Sequence, residues 1–305
     1  MQRSFTNYLI VTLKGIAMGA ADVVPGVSGG TIAFISGIYE ELITSINNIN
    51  LQAIKILRTE GIKKAWHHVN GNFMAALFLG IGISIISLAK LMHWLLNEYP
   101  IMVWSFFFGL VVASIFFVGK QIKTWDAKAI VGFGLAAVLA YYITTLPAMN
   151  QHGGYLYMFL SGALAICAMI LPGISGAFIL VLLGSYGTIL EALSTFDVKT
   201  VGIFILGVIV GILSFARILK FLFTHYENLT LAILTGFILG SLNKIWPWKL
   251  VTEIKKIGDK TIILDESTSP FKYDGDPQIL WAIGLAIIGF STIFLLEKVA
   301  TVKNN

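Results

Sequence analysis

Charge is scarce in this sequence. Asp, Glu, Lys and Arg make up 12% of its 305 residues while 57% are hydrophobic; soluble domains carry about 25% charged residues. So few charges cannot screen so much apolar surface, which excludes a water-soluble globular domain and predicts a polytopic membrane protein. Cysteine is limited to Cys167, so no internal disulfide forms and the redox compartment stays open. The five histidines show no metal-ligand spacing, and no Walker loop, HExxH or Gly-x-Ser-x-Gly elbow occurs. Neither Ser28 nor Ser175 has a histidine in its motif to activate it. No metal, cofactor or catalytic residue is therefore expected. The net charge of +5 falls mainly in short loops, which reads as membrane orientation and not as nucleic-acid binding.

Six apolar runs are long enough to span a bilayer: 73–96, 101–119, 129–146, 201–223, 229–246 and 279–296. Tryptophans stand at or near the ends of such runs, as interfacial aromatics do. Two further regions are shorter and interrupted. Leu9–Val24 and Thr31–Ile46 flank Pro25-Gly26-Val27-Ser28-Gly29-Gly30, and Tyr155–Leu171 and Ala177–Leu193 flank Pro172-Gly173-Ile174-Ser175-Gly176. Proline removes a backbone donor and glycine favours irregular backbone, so 9–46 and 155–193 each read as a re-entrant helical hairpin or a broken pair of spans. Lys14 interrupts the first run, which argues against a cleaved signal peptide.

The two breaks belong to an internal repeat. An offset of 147 (172 − 25) aligns Gly15 with Gly162, Ser28 with Ser175, Gly29 with Gly176, Gly37 with Gly184 and Tyr39 with Tyr186. An offset of 127 (207 − 80) aligns Gly80 with Gly207, Lys90 with Arg217 and Gly109 with Gly236. Residues 1–150 and 151–305 thus form two repeats, each a hairpin followed by three spans. Three is odd, so the second begins on the opposite side of the membrane: an inverted-topology repeat, as in many secondary transporters. Lys55, Arg58, Lys63, Lys64, Lys120, Lys123 and Lys128 lie in loops on one side, which the positive-inside rule makes cytoplasmic, together with both termini. The stretch 247–277 is then extracytoplasmic, either a small β-hairpin or a flexible loop.

Broken backbone inside a membrane is tolerated where protein buries it or where it lines a polar cavity. The segments that restart after Gly30 and Gly176 present unpaired N–H groups suited to an anion, and Ser28, Thr31 and Ser175 add hydroxyls. The alternative is a packing kink in which glycines only allow close approach. Lys90 and Arg217 put a cation at the same point of both repeats and would converge on one anion, unless they snorkel to the headgroups. Lys14, Asp22 and Glu40 align with Ser161, Met169 and Gly187, so the repeated fold does not require them. They are candidates for coupling or gating, with Asp22 alternatively capping the next half-helix.

The stretch Leu13 to Thr31, with Gly37-Ile38-Tyr39-Glu40 and the second-half motif Ala168 to Gly176, resembles the signature of PopT-type membrane proteins, a family long catalogued as a domain of unknown function. The resemblance spans nearly the whole chain and is weakest over 247–277. It implies transport of undecaprenyl phosphate, the lipid carrier of bacterial envelope synthesis, from the outer to the cytoplasmic leaflet of the cytoplasmic membrane. On that implication Ser28, Gly29, Gly30, Thr31, Ser175 and Gly176 cradle the phosphate. Lys90 and Arg217 are its counter-charges, Pro25, Gly26, Pro172 and Gly173 make the breaks, and Lys14, Asp22 and Glu40 tune the cycle. A membrane prenyl-diphosphate phosphatase and a carrier of small organic anions are the competing readings. Oligomeric state and coupling ion are not legible.

Overall fold

The computed structural model describes residues 4–23, 28–146, 154–257 and 260–302; side chains are described at all of these except 23, 88–90, 93, 190, 194, 251–265 and 294–302. The chain is almost entirely helical, an all-α polytopic membrane architecture. Helix α1 (Phe5–Val23) leads through the first break to α2 (Gly29–Ile35) and α3 (Tyr39–Asn47). Two short helices, α4 (Leu51–Thr59) and α5 (Ile62–His68), precede three long ones, α6 (Gly71–Glu98), α7 (Pro100–Gly119) and α8 (Ala127–Thr145). The second half repeats this order with α9 (Tyr155–Ile170), α10 (Gly176–Leu182), α11 (Tyr186–Ser194), α12 (Val198–His225), α13 (Glu227–Ser241) and α14 (Ile279–Val302). The runs 73–96, 101–119, 129–146, 201–223 and 279–296 each fall within or nearly within one long helix, and 229–246 covers α13 and the 3-10 turn Leu242–Ile245. By length and composition α7, α8, α12 and the stretch Glu227–Ile245 can each cross a membrane, and α5 with the first part of α6 does so as a pair bent by 70°.

Helix direction follows from a few contacts. Tyr99 alone separates α6 from α7, so they run antiparallel. At the end of α7, the Lys123 ammonium pairs with Glu227 at 3.1 Å and Asn228 donates to Thr124 at 2.8 Å. The ends of α7 and α12 and the starts of α6, α8 and α13 therefore share one face, the basic face. On the other face, 249–267 folds as two antiparallel strands, β1 (Lys249–Ile257) and β2 (Lys260–Ser267). This resolves the choice left open for 247–277. The strands are anchored where Trp246 donates to the Thr268 carbonyl, Trp248 to that of Pro277, and Lys249 lies over the Trp104 ring.

Lipid tails are as apolar as leucine, so helices in a bilayer associate through close packing and internal polar bonds. Glycine supplies the closeness. A Cβ on Gly15 would lie 2.3 Å from the Leu77 carbonyl oxygen and one on Gly80 2.1 Å from that of Thr12. In the second half, Gly162 meets the Phe204 oxygen at 2.4 Å and Gly207 that of Phe159 at 2.0 Å. Each residue of the second set stands 147 or 127 positions after its counterpart. From Thr12–Gly80 to Gly19–Ser84 the contacts advance together, so α1 runs parallel to α6 and enters from the basic face. By the same pattern α9 follows α12 and enters from the β face.

The segments 31–46 and 177–193 are each divided into two short helices by a glycine turn. Gly37 (φ +70°) and Gly184 (φ +67°) terminate α2 and α10. Ile38 N–H donates to the Ala33 carbonyl and Gly37 N–H to that of Phe34; Ser185 and Gly184 bond Leu180 and Val181 identically. These are Schellman motifs, which need a left-handed residue that glycine adopts without a Cβ penalty.

Candidate functional site

Ser28 begins the site. Its backbone is extended (φ −117°, ψ 128°), and its hydroxyl oxygen accepts from Gly30 N–H at 3.1 Å, the usual arrangement of an N-cap. The same hydroxyl donates across to the second half, to the carbonyls of Leu171 (3.3 Å) and Met169 (3.4 Å). Thr31, one turn on, accepts the Gly173 N–H at 2.8 Å. Gly173 has φ +90°, and a Cβ there would strike the Ser241 hydroxyl. Gly30 faces the Ile170 carbonyl so closely that a Cβ would lie 2.7 Å from it. The two breaks, entered from opposite faces, are thus brought into direct contact, with Ser28, Thr31, Pro172 and Gly173 all buried.

The two breaks differ in which donors they leave. At α2 all three leading amides are engaged: Gly29 N–H with Asp22 Oδ1 at 2.7 Å, Gly30 with Ser28 Oγ and Thr31 with the Ser28 carbonyl. Asp22 therefore caps α2, the second of the two roles open to it from sequence. At α10 the Ser175 hydroxyl accepts a long bond from Phe178 N–H, 3.5 Å. The amides of Gly176 and Ala177 have no acceptor among the described residues, and Ala177 is exposed. Of these two donors, Ala177 N–H belongs to an exposed residue and Gly176 N–H to a buried one.

The charged candidates are dispersed. Lys14 donates to the Ser36 carbonyl at 2.5 Å, at the C-terminal end of α2 where a cation opposes the helix dipole favourably. In the second half the carbonyl 147 positions on, Leu183, receives the Tyr157 hydroxyl at 2.5 Å. Glu40 is exposed on the basic face, lining a cavity of about 310 Å³ with Thr44, Lys220, Thr224 and Glu227. Arg217 is exposed on α12; the Lys90 side chain lies outside the described residues, as do Pro25 and Gly26.

Lys90 and Arg217 occupy equivalent places on their helices. Helices α6 and α12 both have 28 residues, and each cation stands eight residues from the C-terminal end (98 − 90 and 225 − 217). The two helices run in opposite directions. Lys90 is nearer the β face and Arg217 nearer the basic face.

A cation missed in the sequence stands beside the open break instead. The Lys244 ammonium lies 4.9 Å from the centroid of the Phe178 ring, in the first turn of α10. It falls within the predicted span 229–246, so the criterion that singled out Lys90 and Arg217 applies to it. Its counterpart in the first repeat is Phe117 (244 − 127), and a search for repeated cations passes over it.

The family described as undecaprenyl phosphate translocase-like matches the chain over residues 18–261. A polyprenyl-phosphate transporter of Vibrio cholerae serotype O1 is 45% identical over 300 residues, covering 96% of this chain and 97% of the relative. A polyprenyl-phosphate transporter of Staphylococcus aureus is 32% identical over 255 residues, covering 77% and 85%. No solved structure matches.

Proposed function

The chain belongs to the undecaprenyl phosphate translocase-like family, and from that membership we propose that it is a multi-pass membrane transporter, not an enzyme, which carries polyprenyl phosphate from the outer to the cytoplasmic leaflet. The names of both relatives favour this over a phosphatase or a carrier of small anions. The basic face, with Lys120, Lys123, Lys128 and the α4–α5 segment, is cytoplasmic by the positive-inside rule. The β face is external, both termini are inside, and the membrane is the bacterial cytoplasmic one. The two halves act as inverted repeats.

The observation that carries the reading is the meeting of two oppositely entered breaks, one of which leaves hydrogen-bond donors unpaired. A phosphate monoester bears about −1.5 to −2 charge near neutral pH and does not cross hydrocarbon unaided. The Ser175 hydroxyl and the Gly176 and Ala177 amides receive it from the outer side, with Lys244 and Lys90 as nearby positive charge. Gly29, Gly30, Ser28 and Thr31 form the opposing wall. Arg217 receives the headgroup on the cytoplasmic side while the prenyl chain stays in lipid. Asp22 holds the Gly29 amide that a phosphate oxygen would otherwise take, so carboxylate and headgroup compete for it. This supports ion coupling, and flipping indifferent to an imposed proton gradient would remove that part.

The test is a leaflet-resolved assay of polyprenyl-phosphate movement in proteoliposomes. The native chain accelerates movement over protein-free vesicles. Arg217→Ala and Ser175→Ala each slow it by roughly 10-fold or more, since a hydrogen bond to a charged group contributes about 1.5–3 kcal/mol. No acceleration by the native chain, or inhibition by a water-soluble anion with no effect of added prenyl phosphate, overturns the proposal.

A further inference from the structure

The two hairpins are equivalent in sequence and unequal in burial. In the first, Thr31, Ala33, Phe34, Ile35 and Tyr39 are buried; the residues 147 positions on, Phe178, Leu180, Val181, Leu182 and Tyr186, are all partly exposed. Residue type does not explain the difference, because Tyr39 and Tyr186 are the same residue. The first hairpin is covered by the other half of the molecule: α3 packs against the end of α12, and the Tyr39 ring meets Phe34 edge-on at 5.0 Å and Phe223 at 6.0 Å. The first hairpin is thus covered on the basic face by α12, while the second stays partly exposed.

The closure holds an uncompensated group. Tyr39 is 2% exposed, and its hydroxyl has no hydrogen-bond partner among the described residues. A buried hydroxyl without a partner forfeits its hydration with nothing in return, and one in the membrane has no bulk water to turn to. That penalty belongs to the shut state alone and disappears once α3 parts from α12 and the hydroxyl is wetted.

We propose that Tyr39 is the latch of a cytoplasmic gate. With α3 seated on α12 the transporter is shut inside and open outside, and unseating Tyr39 opens the route by which the headgroup is released. The gate rests on the transport reading only for which side is called cytoplasmic. The lone hydroxyl keeps the latch easy to open, and the two ring contacts keep it shut between cycles.

The experiment is sided thiol labelling with a membrane-impermeant maleimide, in a Cys167→Ala background, of Ala33→Cys on the buried hairpin and Leu180→Cys on the exposed one. With native Tyr39, Leu180→Cys reacts from the outside and Ala33→Cys reacts slowly from either side. Adding Tyr39→Ala speeds cytoplasmic labelling of Ala33→Cys by about 10-fold or more. Adding Tyr39→Phe, which keeps the rings and deletes the unpaired hydroxyl, slows it below the native rate. Unchanged outer labelling of Leu180→Cys in each variant shows that the fold persists. Equal rates at Ala33→Cys in all three backgrounds, or a Leu180→Cys as unreactive as Ala33→Cys, overturn the proposal. Reversed sidedness with the same Tyr39 dependence would uphold the latch and refute the orientation. A failure of lipid flipping would leave the labelling pattern untouched.

Discussion

The Thr31 hydroxyl is the acceptor for Gly173 N–H, and both residues are buried. Thr31→Val keeps the shape and leaves that amide unpaired, which costs about 1–3 kcal/mol; Thr31→Ser keeps the acceptor. In detergent, the thermal unfolding midpoint should fall clearly for valine and only slightly for serine, and equal midpoints would show that the bond across the breaks contributes nothing. The hydroxyl was legible as a donor beside a break. That it serves instead as an acceptor for the other half was not, because its partner is 142 positions away. Lys14 is similar: its charge within an apolar run marked it, but the carbonyl of Ser36 that explains it appears only once α2 folds back.

At the level of elements, the repeated glycines do two different things. Gly15, Gly80, Gly162 and Gly207 let helices touch backbone to backbone, whereas Gly37 and Gly184 are needed for their positive φ. Gly37→Ala should cost about 1 kcal/mol through left-handed strain, with open space around the new methyl. Gly82, a helical glycine with no atom near its Cβ direction, is the control: Gly82→Ala should hold stability or raise it by up to about 1 kcal/mol. Matched thermal melts of the two variants check this, and a Gly37→Ala protein as stable as the control would remove the turn argument. The alignment marked Gly37 as repeated without saying why. Apolar pattern reads straight through the turn, since the residues on both sides are equally suited to helix.

Across the whole molecule the two halves are intertwined. Helix α7 packs chiefly on α14 and α8 on α13, with Gly109 against the Ala286 carbonyl and Gly236 against that of Phe133. Neither half by itself then buries the packing faces of its last two long helices. Residues 1–150 and 151–305 expressed separately should be unstable, and expressed together should co-purify and restore transport. A first half that melts cooperatively by itself would count against this. Composition and hydropathy determined what depends on local chemistry: a membrane chain, its long apolar helices and the two interruptions at Pro-Gly motifs. Those follow from run length and from proline and glycine, each readable within one segment. Tertiary structure alone decided which break keeps free donors, that Lys244 lies over the Phe178 ring of α10, and which hairpin is covered. The last two depend on contacts between distant segments, Lys244 with Phe178 and Tyr39 with Phe223, whose register is set by packing after the helices have formed.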